Sequence, residues 1–184
     1  MNEREKWNQR FAAAAPGFLP HPIVTELRPR IAPGARVLEL ASGPSGSALA
    51  LAAAGADVTA VDISDVALTR LATAAAQRGL HVTVANHDLS AWTPPAAAFA
   101  LVFATRFWDA AVFARAAAAV APGGTLAWET FTLAEQRYRP SFAPEFCLQA
   151  GEPASLLPAG WVVEVLRELD DGASATRRLI ARRT

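Results

Sequence analysis

From residue 36 onward, short apolar runs typical of buried strands alternate with alanine-rich runs of helical spacing. Strands joined by helices of 9–15 residues form βαβ units, which place the strands in a parallel sheet with helices on its faces. The alternation therefore predicts an α/β fold with a doubly wound sheet. The predicted strands are 36–40, 57–61, 81–85, 99–103 and 125–131, and the predicted helices between them are 46–54, 64–78 and 109–120.

The two ends of the chain break this alternation. Near the C terminus, 161–166 and 176–181 are strand candidates with only an Asp170-Asp171-Gly172 turn between them. This hairpin completes a seven-stranded sheet, mostly parallel, with an antiparallel strand in the hairpin. At the N terminus, 3–14 has helical spacing and should end at Pro16-Gly17, and a second short helix is expected over 22–31.

No internal repeat or linker divides the sequence, so 1–184 is predicted to be a single domain. Its expected parts are an N-terminal helical cap over 1–33, a core over 34–131, and a loop with the terminal hairpin over 132–184.

Composition and charge argue against several classes of protein. Seventeen basic and seventeen acidic residues give zero net charge, which disfavours a nucleic-acid partner held by bulk electrostatics. The one cysteine rules out an internal disulfide framework and a multi-thiolate metal site, and no metal is expected. The N terminus is charged where a signal peptide is apolar, and the charge-free stretch 89–105 contains Pro94-Pro95. A cytoplasmic protein without a membrane partner is the expectation.

Ligands of an open α/β sheet bind beyond the carboxyl ends of its strands, so the residues that follow each strand are candidates for the site. The first strand is followed by Ala41-Ser42-Gly43-Pro44-Ser45-Gly46, whose small residues let a ligand approach the backbone. Asp62 follows the second strand and Asp88 the third. Strand-end aspartates often only cap helices. The order of glycine turn, Asp62 and Asp88 on successive strand ends nevertheless indicates a nucleoside site.

These motifs resemble those of the Rossmann-fold, class I S-adenosylmethionine-dependent methyltransferases. Within that superfamily the chain resembles small bacterial enzymes similar to tellurite-resistance and thiopurine methyltransferases, over nearly its whole length. The resemblance implies a Rossmann-like fold, S-adenosylmethionine as cofactor and methyl transfer as the activity. It lies in Val37-Leu38-Glu39-Leu40-Ala41-Ser42-Gly43, Val58-Thr59-Ala60-Val61-Asp62-Ile63-Ser64, Asp88-Leu89 with Trp92, and Ala121-Pro122-Gly123-Gly124-Thr125-Leu126 followed by Glu129-Thr130-Phe131.

The resemblance also implies roles for individual residues. Glu39 lies near the methionine amino group or orders the loop, and Asp62 binds the ribose hydroxyls. Independently of the resemblance, Trp7 with Phe11 is a candidate for closing the cofactor site, and the alternative is that their helix merely packs on the sheet. The remaining cofactor contacts are the backbone of Ala41, Ser42 and Gly43 to the methionine part, Ile63 on the adenine face, Asp88 and Leu89 at the adenine edge, and Thr105 and Arg106 on the methionine side.

The position of the family's second glycine is Ser45 here, with glycine one residue later at Gly46. We therefore expect the loop to bend differently or to lose a close contact. No catalytic residue is assigned. The acceptor-side candidates are Arg106, His21 and Arg137, although a histidine before a proline at a helix start is more often a capping residue.

A small-molecule acceptor is expected, because the end of the fourth strand lacks the Asn/Asp-Pro-Pro-aromatic motif of nucleic-acid amino methyltransferases. Two alternatives stay open. The first is an S-adenosylmethionine-binding protein without catalysis, which the departure from the family's glycine pattern at Ser45 leaves open. An NAD(P)-dependent oxidoreductase needs Gly-x-Gly-x-x-Gly, which Gly43-Pro-Ser-Gly46 does not supply.

Overall fold

A computed structural model describes residues 1–15 and 17–184, so Pro16, expected to help end the first helix, lies outside the described residues. The strands form a seven-stranded sheet of order β3-β2-β1-β4-β5-β7-β6. The helices are α1 (Glu3–Ala13), α2 (Val24–Leu27), α3 (Gly46–Ala53), α4 (Asp65–Gln77) and α5 (Ala110–Ala119); the strands are β1 (Arg36–Leu40), β2 (Asp57–Asp62), β3 (Val82–Asn86), β4 (Phe99–Thr105), β5 (Val120–Phe131), β6 (Trp161–Asp170) and β7 (Ala175–Arg183).

The predicted fold class is confirmed. β2 pairs in parallel with β1 and β3, and β4 pairs in parallel with β5. β7 runs antiparallel to both β5 and β6, as the terminal hairpin requires. The chain divides into two compact units, Met1–Thr93 and Pro94–Thr184, which are described in turn.

Serine hydroxyls cap the N-terminal ends of α3 and α4 in the first unit. Ser45 accepts a hydrogen bond from the Ala48 N–H at 2.9 Å, and Ser64 accepts one from the Ala67 N–H at 3.2 Å. Each bond satisfies one of the four N–H groups that the first turn leaves without a partner in the helix. The predicted cap at Ser64 is confirmed, and it fixes α4 directly after the end of β2.

The second predicted helix is shorter than expected. α2 ends at Leu27, and Arg28–Arg30 forms a 3-10 turn in place of the predicted continuation to residue 31. Pro29 in this turn has no N–H to donate, and its ring would clash with the carbonyl four residues earlier in a regular α-helix. The tighter turn avoids both problems.

α1 has no fully buried residue and is attached mainly by polar contacts. The Arg70 guanidinium of α4 donates to the carbonyls of Phe11, Ala12 and Ala14 at the C-terminal end of α1. In the middle of the helix, Asn8 accepts from the Ser64 hydroxyl at 2.6 Å. The helix is thus held against the start and the side of α4.

Gly46 is required by a close approach of the chain. A Cβ atom at this position would lie 2.3 Å from the Phe18 carbonyl oxygen. We expect Gly46→Ala to lower the free energy of unfolding by about 2 kcal/mol, as overpacking against backbone does. Urea unfolding measures this change. The matched control is Gly17→Ala, where no atom lies within 4 Å of the new Cβ. Equal stabilities of the two variants would contradict the assignment.

In the second unit, β5 begins earlier than predicted. It starts at Val120 instead of residue 125, so Pro122-Gly123-Gly124 belongs to the strand and does not precede it. An irregularity in the β4–β5 register, between Phe99 and Leu101, accommodates the extra residues. A Cβ at Gly124 would lie 2.9 Å from the Ala100 carbonyl oxygen, so a glycine is needed where the strands approach closely.

The second unit has an aromatic core and a buried ion pair. Trp128, Phe103 and Phe113 are fully buried. Near the carboxyl end of β5, Glu129 lies opposite Arg178 of β7, and the Arg178 Nε donates to the Glu129 carboxylate at 2.5 Å. Both side chains are less than 8% exposed. Within the described residues, no helix is long and apolar enough to cross a membrane.

Candidate functional site

Asp62 organises the carboxyl end of β2. One carboxylate oxygen accepts from the Gly43 N–H at 2.7 Å, and the other accepts from the Ser64 N–H at 2.8 Å. The side chain is 6% exposed, and burial raises the pKa of Asp62. Because an ionised carboxylate has about four acceptor positions, each oxygen retains one for a ligand. Asp62 therefore fixes the glycine loop after β1 and keeps the capacity to accept from a pair of hydroxyls.

The loop after β1 has an unusual backbone. Ala41 and Gly43 have φ values of 49° and 57°, in the left-handed region that favours glycine. The Ser42 N–H donates to the Val61 carbonyl at 3.0 Å, so the loop is tied to the end of β2 by backbone as well as by Asp62. These bonds hold Ala41, Ser42 and Gly43 together in one ordered turn. Left-handed backbone at a residue other than glycine, as at Ala41, is concentrated at functional sites in proteins.

Glu39 is a buried carboxylate at the end of β1, with 2% of its surface exposed. Its Oε1 accepts from the Ser45 hydroxyl at 2.8 Å, whereas its Oε2 is buried without a hydrogen-bond partner among the described residues. Burial, with a smaller contribution from the nearby Asp62, raises the pKa of Glu39 to about 8, although the hydrogen bond from Ser45 acts in the opposite direction. Ser45 has an ordinary extended backbone, φ −77°, so no glycine is needed there. Ser45, which stands where the family has its second glycine, therefore donates a hydrogen bond to Glu39.

α1 covers the glycine loop. The Phe11 Cζ lies 3.1 Å from the position that a Cβ on Gly43 would take. Trp7 stacks on Phe11 with ring centroids 5.7 Å apart, and the Arg10 guanidinium lies 5.0 Å from the Trp7 ring centroid. Phe11 thus makes the contact with the loop, and Trp7 supports it from one turn earlier. The i, i+4 spacing of the two aromatic residues is the signal in the sequence.

A groove of about 480 Å³ lies between the first turn of α1 and the ends of β2 and β3. Asp88 on its wall is exposed and accepts from the N–H and the hydroxyl of Ser90, which lower the pKa of Asp88. Leu89 beside it is buried. The groove is lined by Asn2, Glu3, Arg4, Ile63, Asn86, His87 and Asp88.

Two residues of this groove were missed by the sequence analysis. Asn86 donates to the carbonyls of Asp62 and Ile63 at 3.1 and 2.9 Å. The Arg4 guanidinium donates to the Asn86 side-chain oxygen at 2.7 Å and pairs with Asp65. No local sequence pattern predicts these contacts, because they join residues up to 82 positions apart.

His21, also in the first unit, has a capping role. Its Nδ1 accepts from the Ile23 N–H at 3.3 Å, and its own N–H donates to the Ser47 hydroxyl at 3.0 Å. This is the ordinary function of such a residue at a helix start, which the sequence analysis weighed against a role as a base.

The other acceptor-side candidates lie in the second unit. Thr105 ends β4, and Arg106 follows it with φ 57°, its N–H donating to the Glu129 carbonyl at 2.8 Å. Arg106 is exposed, and its guanidinium makes no hydrogen bond or ion pair within residues 1–15 and 17–184. Arg137 is instead paired with Asp170 at 3.0 Å, and Asp170 also accepts from the Tyr138 hydroxyl at 2.5 Å.

The residues of the first unit fit S-adenosylmethionine. The partnerless Glu39 oxygen suits an ammonium group, and Asp62 has acceptor capacity for two ribose hydroxyls. Ile63 is an apolar side chain at the groove, suited to an adenine face. Among the described residues, no group of three His, Cys, Asp or Glu side chains is arranged to hold a metal ion.

Comparison with known proteins finds a family match in the middle of the chain. Residues 37–124 match the family described as methyltransferase domain. No curated protein matches the sequence.

Solved structures show the fold over almost the full length. Magnesium protoporphyrin IX methyltransferase from Synechocystis PCC 6803, with bound SAH, has a TM-score of 0.77 at 16% identity, covering 98% of each chain. TehB from Haemophilus influenzae has a TM-score of 0.75 at 16% identity, covering 98% of this chain and 67% of that one.

A third structure, an S-adenosylmethionine-dependent methyltransferase from Mesorhizobium loti, has a TM-score of 0.70 at 17% identity, covering 94% of this chain and all of that one. The family match, the seven-stranded sheet and these neighbours agree with the resemblance found in the motifs. The chain therefore has the seven-stranded fold of the class I S-adenosylmethionine-dependent methyltransferases, and residues 37–124 match the methyltransferase domain family.

Proposed function

We propose that this chain is an S-adenosylmethionine-dependent methyltransferase, which transfers the methyl group of its cofactor to a small-molecule acceptor by in-line displacement. One observation supports the placement of the cofactor. The Asp62 carboxylate accepts two hydrogen bonds, one from the Gly43 N–H in the glycine loop and one from the Ser64 N–H at the start of α4. The cofactor supplies an activated sulfonium methyl group. The protein's task is to hold the acceptor in line with that group and to exclude water.

In this proposal the residues of the first unit bind and orient the cofactor. Asp62 accepts from the ribose hydroxyls, and Glu39 accepts from the methionine ammonium group. The backbone of Ala41, Ser42 and Gly43 contacts the methionine part, while Phe11 and Trp7 shield it from water. The adenine occupies the groove against Ile63, with its edge at Asp88 and Leu89.

On the acceptor side, Arg106 binds the acceptor, with Thr105 beside it. Arg137 already has an ionic partner in Asp170, and His21 caps a helix, so neither side chain is as available as that of Arg106. A guanidinium without a partner can bind an anionic group on an acceptor. Zero net charge and the absence of the nucleic-acid methylation motif after β4 favour a small acceptor over DNA or RNA.

Calorimetry with S-adenosylhomocysteine and with NAD tests the proposed cofactor site. We expect binding of S-adenosylhomocysteine and none of NAD, and NAD binding alone would contradict the proposal. Methyl transfer from labelled S-adenosylmethionine to a panel of small thiols, phenols, amines and carboxylates, against tRNA and DNA, then tests the acceptor class. Binding without turnover on any acceptor would support the alternative of a binding protein without catalysis.

A further inference from the structure

Among the described residues, the one charge that acts on Glu39 is the carboxylate of Asp62, which has the same sign. The Ser45 hydroxyl is a neutral donor, and the adjacent helix α3 contains no charged residue. On the neighbouring strand β2, the charged residues are Asp57 and Asp62, and Asp62 disfavours ionisation of Glu39. On its own strand, Arg36 lies at the opposite end. Every charged residue of β2 therefore has the same sign as an ionised Glu39.

The ionised form of Glu39 is costly in the free protein. A carboxylate oxygen that is buried without a hydrogen bond loses its hydration and gains nothing in return. The neutral acid avoids most of this cost, because only charged groups carry the large desolvation penalty. Burial accordingly raises the pKa of Glu39 to about 8, so the neutral form predominates below that pH.

An ammonium group arriving at Oε2 would reverse this preference. It would supply both the missing hydrogen bond and the missing positive charge, and hydrogen bonds between two charged partners are roughly twice as strong as neutral ones. We propose that free Glu39 carries a proton and that capture of the cofactor's ammonium group by its partnerless oxygen expels that proton, one for each cofactor bound. This inference rests on the proposed placement of the cofactor at the β1 loop.

The chemical balance is simple. The neutral acid of Glu39 and a cofactor ammonium combine to give a carboxylate–ammonium pair, and one proton passes to the buffer. Ser45 takes part in this exchange, because the hydrogen bond from its hydroxyl to Oε1 favours the ionised form of Glu39. The residue that stands in place of the family's second glycine would thus set the pH at which the exchange occurs.

Calorimetry of S-adenosylhomocysteine in buffers of different ionisation enthalpy counts the released protons. At pH 6.5 we expect about one proton per ligand, because a group with a pKa near 8 is almost fully protonated there. Between about pH 5.5 and 7.5 the Kd should fall about tenfold per pH unit. 5′-Methylthioadenosine, which keeps the ribose and adenine but has no amino group, is the matched control. Titration of Asp62 changes the Kd of both ligands, whereas titration of Glu39 changes only the Kd of S-adenosylhomocysteine.

Two variants complete the test. Glu39→Gln should abolish the proton release and flatten the pH dependence for S-adenosylhomocysteine. Ser45→Ala should move the midpoint to higher pH. Asp109→Ala, which removes an equivalent cap from α5 without touching Glu39, should not move it. Thermal unfolding of each variant confirms that it is folded.

The possible results separate the two proposals. If S-adenosylhomocysteine binds with no proton release and with the same pH dependence as 5′-methylthioadenosine, the proton exchange is wrong and the cofactor site stands. Failure of both ligands to bind the folded wild-type protein would overturn the placement of the cofactor itself.

Discussion

Replacing Asp62 with alanine should raise the Kd for S-adenosylhomocysteine about a thousandfold, because two hydrogen bonds from ribose to a charged carboxylate are worth about 4 kcal/mol together. The same change leaves the Gly43 and Ser64 N–H groups without their acceptor, so the loop after β1 loses its tie to β2. Both effects act in the same direction. Calorimetry measures the affinity, and thermal unfolding separates loss of binding from loss of fold.

Asp65→Ala is the matched control for this variant. Asp65 lies three residues away, is about half exposed, and pairs with Arg4 on the surface. Exposed ion pairs contribute about 0–1 kcal/mol, so its loss should change the Kd less than about fivefold. An Asp62→Ala protein that is folded and binds with wild-type affinity would show that the ribose lies elsewhere.

Arg178→Met should lower the free energy of unfolding by about 3–5 kcal/mol, the typical cost of breaking a buried ion pair. Methionine fills much of the volume but removes the Arg178 guanidinium from the buried Glu129 carboxylate. The Thr176 hydroxyl, which donates to Glu129 at 3.1 Å, is neutral and does not replace that charge. Urea unfolding at neutral pH measures the loss.

Two further variants decide whether the ion pair is the cause. Arg182→Met, on the same strand, removes an exposed pair with Glu164 and should cost less than about 1 kcal/mol. The double variant Glu129→Met with Arg178→Met removes both charges and should recover much of the stability, since apolar replacements of buried pairs are often neutral. A double variant that is no more stable than Arg178→Met alone would contradict this explanation.

The periodic parts of the chain were predictable because each strand or helix is specified by its own residues. β1 has the predicted bounds, and the Ser64 cap lies where the sequence placed it. The errors occur where tertiary contacts override local signals. Pro122-Gly123-Gly124 is typical of a turn, yet β5 runs through it because the register with β4 shifts there.

The candidate site also has parts that were predictable and parts that depend on tertiary contacts. Asp62 and the glycine turn were predicted because they directly follow strands, and that position can be recognised in the sequence. The orphaned oxygen of Glu39 was not visible, because it depends on how completely the loop and α3 enclose the strand end. The partner of Arg137 was also hidden, since Asp170 is 33 residues further along the chain.

The polar attachment of α1 has a practical consequence. Water can replace the bonds that Arg70 donates and the bond that Asn8 accepts, so this helix should be released by local opening at a lower free energy than the strands beneath it. Because Phe11 belongs to this helix, each opening of α1 also uncovers the glycine loop. Hydrogen exchange of the α1 amides therefore measures how often that loop becomes accessible.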